Sequence, residues 1–406
     1  MKTERRTPLP DASKTSIWPD PLVEWAATST INVDSPTVWF TALAERMVAA
    51  GLPLARFRMH YDILHPQYAG FSSRWRRGDP EVEVIRLAHS PEKSPRYLAS
   101  PVRLLDEGIV PEIRRSLQVP EAQLDFPILK ELKAEGLTDY FALPLRLANG
   151  RTGVAAYATD RAGGFTEGEI ERLRQVTRAA ARGFEIVIRH ETSRSLARAY
   201  LGSRTGERVL AGVVRRGDGE TIDAVVWFSD LRRSTALSVT MPPADFLALL
   251  NAYFDCLAGA VQEQGGEVLR FIGDAVLAIF PVDAGEEPAC ADACRRAVRA
   301  TRQAAENVAG LNVERARIGK HSIGYTIGLH LGPVHYGNIG TAGRVEFTVV
   351  GAAANAAAKI ANQCKLAGEK VLISEDVARR LDEPGRDLGE FEMPGVGRKM
   401  RLFGLS

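Results

Sequence analysis

The period of the apolar positions changes several times along the chain, and each change marks an element. Residues 39–50 repeat at helical spacing, whereas residues 55–64 and 81–87 alternate as strands do. Tyr140-Phe-Ala-Leu-Pro-Leu-Arg-Leu147 and Gly153-Val-Ala-Ala-Tyr-Ala158 bracket Asn149-Gly150. Asn-Gly tolerates the positive φ angles of a type I′ turn, so the two runs are expected to meet as a hairpin closing an α+β module over residues 21–165. Thr166-Glu-Gly-Glu169 then fits a capping box, in which hydroxyl and carboxylate satisfy the free amides of a helix start. The helix it opens carries Leu173, Val176, Ala180, Phe184 and Val187 at spacings of three and four. Such a seam suits pairing with a second helix, or packing on its own domain. The helix is expected to fray before Gly202, and the Gly- and Arg-rich stretch to Gly219 holds the boundary, making residues 166–205 a connector. Residues 1–20, with Thr7-Pro-Leu-Pro10 and little apolar content, are expected not to pack.

A second module follows over residues 206–406. A strand at 222–229 precedes a helix begun by Pro242-Pro243, with Phe246, Leu250, Phe254, Leu257 and Val261 on one stripe and Gly265-Gly266 as its stop. Strand-like runs at 267–272 and 275–280 flank Gly273-Asp274, where glycine first suits a type II′ turn. A helix at 289–309, strands at 323–331 and 344–350, a helix at 354–366, a strand at 370–373 and a pair near Phe391 and Leu402 complete the order. That order resembles the ferredoxin-like split βαβ sandwich, with helices on one face of an antiparallel sheet. The fold class expected is therefore α+β in both modules.

At 406 residues, 45% apolar and 25% charged, the chain is long enough for two globular units and a connector. No apolar run approaches the ~20 residues of a membrane helix, so no membrane partner is expected. With 52 basic against 50 acidic residues, the net +2 gives no field able to hold nucleic acid through its phosphates. Four cysteines without a CxxC pair, and no apolar signal segment after Met1, point to a reducing cytoplasm rather than a disulfide scaffold.

Two aspartates stand out chemically. Asp230 ends the apolar run Val225-Val-Trp-Phe-Ser229, and Asp274 sits at the tip of the following hairpin. A carboxylate so placed must be solvated, paired or bound to a cation. If the two strands are neighbours, the pair offers hard oxygen ligands to Mg²⁺ or Mn²⁺; the alternative is that each caps its own turn. Cys290 and Cys294, one helical turn apart, are read as small buried hydrophobes. His330 and His335 flank Gly332-Pro333, taken as a turn, with no third zinc ligand at suitable spacing. Trp75 and Tyr68, among Arg74, Arg76 and Arg77, are read as an exposed loop.

Ala224-Val-Val-Trp-Phe-Ser-Asp-Leu-Arg-Arg-Ser-Thr235, Arg270-Phe-Ile-Gly-Asp-Ala-Val-Leu-Ala-Ile-Phe280, Gly328-Leu-His-Leu-Gly-Pro-Val-His-Tyr-Gly-Asn338 and Phe347-Thr-Val-Val-Gly-Ala-Ala-Ala-Asn355 resemble, in order, the signatures of class III nucleotidyl cyclase domains. The resemblance implies that Asp230 and Asp274 bind two metal ions, Mg²⁺ or Mn²⁺, with the Leu231 carbonyl as a further ligand, at sites shared by a homodimer. Attack of the ribose 3′ hydroxyl on the α-phosphorus puts charge on entering and leaving oxygens, which two cations about 4 Å apart can stabilise. It further implies that Asn355 addresses the ribose and Lys359 the α-phosphate, although the family holds Arg at the latter position, with a two-pronged donor set that Lys lacks. Arg270 and Thr348 fall at the base-reading positions. Thr348 and the lack of the acidic acceptor of guanine sites favour ATP as substrate, with GTP or a pyrimidine nucleotide as the alternative. Arg232, Arg398 and Lys399 are candidate phosphate contacts. A degenerate, non-catalytic nucleotide-binding or dimerising domain is the rival reading. A diguanylate cyclase would need a Gly-Gly-(Asp/Glu)-Glu-Phe turn, where this chain reads Ile272-Gly-Asp-Ala275. The first module resembles a GAF sensor in element order, so a small-molecule effector is expected there, without a covalent chromophore.

Overall fold

Alternating side chains in the first half build one antiparallel sheet. The computed structural model describes residues 19–29, 35–89, 94–147, 152–282, 286–393 and 399–405, and the chain divides into two units, Met1–Leu196 and Ala197–Ser406. The first 18 residues of the stretch expected not to pack, the Asn149-Gly150 turn and Arg398 lie outside the described residues. Asp20, expected to belong to that unpacked stretch, instead caps a helix and ion-pairs with Arg172 at 2.6 Å.

The first unit contains α1 (Pro21–Thr28), α2 (Pro36–Ala49), β1 (Arg56–Asp62), β2 (Tyr68–Arg76), β3 (Glu83–Ala88), α3 (Pro95–Leu98), α4 (Pro101–Asp106), β4 (Ile113–Ser116), α5 (Pro127–Ala134), β5 (Asp139–Arg146), β6 (Thr152–Thr159) and α6 (Glu167–Leu201), which continues past the unit boundary. The sheet runs β3-β2-β1-β6-β5-β4. Phe57, Met59 and Tyr61 of β1 pack on one face with Trp39, Phe40 and Leu43 of α2 and the inner side of α6. On the other, Tyr140, Ala142 and Val154 meet Leu105 of α4 and Leu129 and Leu132 of α5. The capping box forms as expected: Thr166 N donates to Glu169 Oε2 at 2.8 Å and Glu169 N to Thr166 Oγ1 at 3.3 Å. Leu173, Val176, Ala180, Phe184 and Val187 are all buried in the unit's own core, so this seam is not free to pair with another helix; burying five apolar side chains locally outweighs keeping them for a partner. Tyr68 and Trp75 lie on β2, with Trp75 in the core rather than on an exposed loop.

The second unit contains α7 (Ser203–Leu210), β7 (Gly219–Leu231), α8 (Ser234–Thr240), α9 (Pro243–Glu263), β8 (Glu267–Ile272), β9 (Ala275–Pro281), α10 (Glu287–Arg317), β10 (Tyr325–Gly340), β11 (Val345–Val350), α11 (Ala352–Ala367), β12 (Val371–Ser374), α12 (Glu375–Ala378), β13 (Arg386–Glu392) and β14 (Lys399–Leu405). The stretch read as a Gly/Arg-rich boundary holds a helix, α7. It is fixed by tertiary contacts: buried Glu267 accepts from Thr205 N at 2.7 Å, Thr205 Oγ1 at 2.8 Å and Tyr336 OH at 2.8 Å.

The sheet order is β13-β14-β12-β10-β7-β9-β8, with β11 also paired to β10. The β10–β12 pair is parallel, so the sheet is mixed rather than purely antiparallel. Val225, Trp227, Ile327 and Leu329 pack beneath α9 and α10, while Ala224, Val226 and Val334 on the opposite face meet Ala353 and Ala357 of α11. Helices thus cover both faces, not one. The expected Gly332-Pro333 turn is absent because β10 runs straight through it. Pro333 faces β7 at Asp223 and sits between the β12 and β11 pairings, where its missing N–H leaves no ladder bond unmade. His330 contacts Ser374 Oγ through Nδ1 at 2.9 Å, a packing role, and Cys290 and Cys294 are buried in the core. Among the described helices α9 alone is long and apolar enough to cross a membrane, contrary to the expectation that no run comes close; its Tyr253, Leu257 and Val261 are buried against the sheet.

Candidate functional site

The central strand β7 fixes the first functional group. Its residues alternate between the two helix layers, and Asp230 falls on the α11 face, opposite Ala275 of β9 and Thr326 of β10. Ala275 follows the two-residue turn Gly273-Asp274, in which Gly273 adopts φ +63°, a conformation glycine reaches without strain. The register therefore carries Asp274 to the side of Asp230, within hydrogen-bonding reach. Burial is the largest influence on Asp230 and pushes its carboxyl above the ordinary value; Lys365 pulls it back, and the neighbouring Asp274 raises it further.

Lys365 was not foreseen. Its Nζ stands 2.6 Å from Asp230 Oδ2, and the helix geometry explains how. Gly328 lets α11 settle on β10 so closely that a Cβ there would lie 2.4 Å from both Ala357 O and Ala361 N. Lys365 is one helical turn beyond Ala361 and so reaches over the strand pair carrying Asp230. Two carboxylates this near each other need a proton or a cation between them. In this structure the lysine ammonium supplies the charge. The hydroxyl of Thr326, buried opposite Asp230, has no hydrogen-bond partner among the described residues.

A second group of candidates gathers at β8 and β11. Arg270 ion-pairs with Glu346 at 2.8 Å, and Glu346 lies two residues before Thr348 on β11, hence on the same face. Thr348 is buried and pairs with Gly337 of β10. The structure thus unites the two base-reading candidates through a carboxylate that the sequence reading passed over. Its signal was the i, i+2 spacing to Thr348.

The remaining candidates are placed less closely. Asn355 is exposed and Lys359 half-buried on α11. Asn355 precedes Lys365 by ten residues on one helix, about 15 Å along its axis at 1.5 Å per residue. Leu231 is buried at the end of β7. Arg232 follows it, packs against Gly324 and donates its N–H to Gly324 O at 3.0 Å. Arg233 takes a left-handed φ of 63° ahead of α8. Lys399 is exposed at the start of β14, opposite Glu392. Among the described residues no group of three or more His, Cys, Asp or Glu side chains clusters as a metal site. Two carboxylates and an orphaned hydroxyl are nevertheless hard oxygen donors, the set that Mg²⁺ or Mn²⁺ takes when substrate phosphates complete the coordination.

Comparison with known proteins bears on this constellation. Residues 219–406 match the family described as adenylate and guanylate cyclase catalytic domain. An adenylate cyclase of Anabaena cylindrica is 34% identical over 172 residues, covering 41% of this chain and 32% of that protein. An uncharacterised protein of Mycobacterium tuberculosis is 32% identical over 219 residues, covering 52% and 38% respectively. The chain thus spans about a third of the length of these curated relatives. Among solved structures, the adenylyl cyclase CyaB from P. aeruginosa aligns with a TM-score of 0.40 and 22% identity, over 46% of this chain and 95% of its own. The guanylyl cyclase Cya2 aligns with a TM-score of 0.40 and 24% identity, over 46% and 92%.

Proposed function

We propose that the protein, whose residues 219–406 match the family described as adenylate and guanylate cyclase catalytic domain, converts ATP to 3′,5′-cyclic AMP and pyrophosphate at the interface of a homodimer. In this reading the first unit acts as a GAF-like sensor and residues 166–205 as the connector. The observation that carries it is the carboxylate pair Asp230 and Asp274, brought together by the β7–β9 register.

Asp230, Asp274 and the Leu231 carbonyl would hold two Mg²⁺ or Mn²⁺ ions, whose chemistry when bound would be to acidify the attacking ribose hydroxyl and offset the triphosphate charge. Lys365 offsets the charge of Asp230 before nucleotide arrives, at the cost of competing for that carboxylate. Asn355 would orient the ribose by hydrogen bonding, and Lys359 would place its ammonium on the α-phosphate, where charge develops. Arg232, Arg398 and Lys399 are further candidates for the phosphates.

The dimer is supported by distance. Lys365 touches Asp230, yet Asn355 lies about 15 Å away along the same helix. A single nucleotide meeting both the carboxylates and an Asn355 is more readily served by two copies, each lending its Asn355 and Lys359 to the other's acids. Phe271, Ile272 and Leu366, exposed apolar side chains beside Arg270 and Lys365, are consistent with a covered surface.

Arg270 can donate to adenine N1, and the Thr348 hydroxyl can accept from the exocyclic amine. Glu346 favours a second reading: a carboxylate next to Arg270 can accept from guanine N1–H and N2–H, giving a guanylate cyclase. Incubating the full chain with Mn²⁺ and each of the four ribonucleoside triphosphates, followed by chromatography, tests both. Cyclic AMP as the main product is expected; cyclic GMP would select the second reading. No cyclic product from any triphosphate would leave a non-catalytic nucleotide-binding or dimerising domain.

A further inference from the structure

The first unit contains a cavity of about 280 Å³ between its sheet and the helices α3, α4 and α5. Its floor is an unusual strand face. Along β1, Phe57, Met59 and Tyr61 turn into the core, while Arg56, Arg58 and His60 line the cavity on the opposite face. Three basic side chains on the covered face of a central strand are costly to desolvate unless something compensates them.

The compensation is incomplete at one point. Arg56 and Arg76 share Glu135, Arg74 holds Glu83 at 2.8 Å, and Arg96 reaches Glu131 at 3.8 Å. Arg58 donates through Nε to Ser72 Oγ at 2.8 Å and has no carboxylate partner among the described residues. Burial, then repulsion from Arg56, Arg74 and Arg96, disfavours its charged form, with only Glu83 opposing. His60, next along the same face, is held toward its neutral form by burial first and by Arg58 second. Tyr140, on β5 across the sheet, also lines the cavity, and among the described residues its hydroxyl makes no hydrogen bond. A guanidinium, an imidazole held toward its neutral form and a phenol therefore border one space whose wall also holds the ion-paired Arg56, Arg96 and Glu131 and an apolar side that includes Val102, Ile128 and Leu132.

We propose that this cavity binds a small organic acid, its carboxylate on the Arg58 guanidinium with Tyr140 and His60 as further hydrogen-bond partners, and its apolar body against Val102, Ile128 and Leu132. The planar fork of Arg58 matches a carboxylate, and such a charge-assisted pair is about twice as strong as a neutral hydrogen bond. One uncompensated guanidinium at the head of the space calls for one negative charge, which favours a monocarboxylate over a doubly charged phosphate ester. The volume lies just under the roughly 300–1,000 Å³ typical of drug-sized ligands, so the acid is smaller than those. This gives chemistry to the effector of the sensing role proposed above; it rests on that reading only for any effect on turnover, because binding is measured without nucleotide or metal.

The test is calorimetric titration and thermal melting of the full chain with aromatic and branched-chain monocarboxylates such as benzoate, phenylacetate and isovalerate, against benzamide and phenyl phosphate. Saturable binding of an acid that raises the melting temperature is expected, with no binding of benzamide at the same concentration. Arg58→Gln should weaken the acid at least tenfold, and apo Arg58→Gln should melt no lower than the parent, since it removes a buried charge without an acidic partner. Should Arg58→Gln fail to fold, Ala156→Leu decides instead: Ala156 faces Arg58 across the β1–β6 pair, and the larger side chain should exclude the acid. Absence of binding by every acid, equal binding of benzamide, preference for phenyl phosphate, or undiminished binding by either variant would each overturn the assignment. None of those results touches the cyclase reading, and a chain with no cyclase activity could still bind the acid.

Discussion

Gly328→Ala perturbs the seat of α11, the helix bearing Asn355, Lys359 and Lys365. A Cβ at this position would lie 2.4 Å from Ala357 O and 2.4 Å from Ala361 N, whereas ordinary contact begins near 3.4 Å. Both clashing atoms belong to helix backbone, so no rotamer change relieves them, and α11 must retreat by about 1 Å. Overpacking of this kind costs about 1–3 kcal/mol; two simultaneous backbone clashes place it near 3. For a unit of this size that is a fall in melting temperature of about 6–12 °C. Displacing the helix by 1 Å should also lower turnover by about two orders of magnitude, since a shift of that size in positioned groups is enough to do so. Calorimetry and product formation on the full chain read the two effects. Gly343→Ala is the control, as its Cβ would meet nothing within 4 Å, and it should stay within about 0.5 kcal/mol. A Gly328→Ala protein as stable and active as that control would refute the close seating of α11, and with it the explanation of how Lys365 reaches Asp230.

Other outcomes follow from single contacts. Asp20→Asn should destabilise the first unit by about 1 kcal/mol at pH 7. Arg172, the main cause, holds the Asp20 carboxyl below its ordinary pKa, so the stabilisation is present above the unfolded pKa and is lost as pH falls through the folded one; parent and variant melting curves should differ at pH 7 and draw together as pH falls below the ordinary carboxylate range. Glu267→Gln turns one acceptor oxygen into a donor among three donating groups, so amides 203–210 should exchange hydrogen about tenfold faster, with the rest of the second unit unchanged. Thr166→Ala removes half of the capping box and should cost about 1 kcal/mol in chemical denaturation. Lys359→Arg should raise kcat severalfold with KM little changed, because a forked guanidinium grips a phosphate better than an ammonium does; a fall in kcat at unchanged stability would remove Lys359 from the α-phosphate.

The local elements were legible wherever short-range physics decides them. The capping box, the β8–β9 hairpin with Gly273 at positive φ, and most strands follow from spacing within a few residues. What stayed hidden depends on residues far apart. Lys365 meets Asp230 across 135 positions and Arg270 meets Glu346 across 76, and no periodicity encodes either pair. The α6 seam was ambiguous because helix pairing and domain packing ask for the same apolar spacing; only the β1 and α2 side chains present to receive it decide for packing. Helix α7 was missed because its stability comes from Glu267 and not from its own propensity.

The two chemically interesting places obey one rule that a sequence reading can apply. A central strand has both faces covered, so a charged residue at an alternating position cannot be read as solvent-facing unless the strand lies at an edge. On β7, Asp230 shares the α11 face with Ala224 and Val226, and on β1, Arg58 shares the α4–α5 face with Arg56 and His60. In each case one charged group lacks full pairing with the protein's own side chains, partly met by Lys365 in the first and, among the described residues, by no carboxylate in the second. Such positions cost stability in the empty protein, since burying charge without full pairing is unfavourable. Replacing Arg58 by a neutral residue of similar length should therefore raise apo stability, whereas the same change at Arg56, which is ion-paired to Glu135, should lower it. Comparing Arg56→Gln with Arg58→Gln by chemical denaturation separates the two roles: opposite signs are required, and equal losses would mean that Arg58 is an ordinary structural residue.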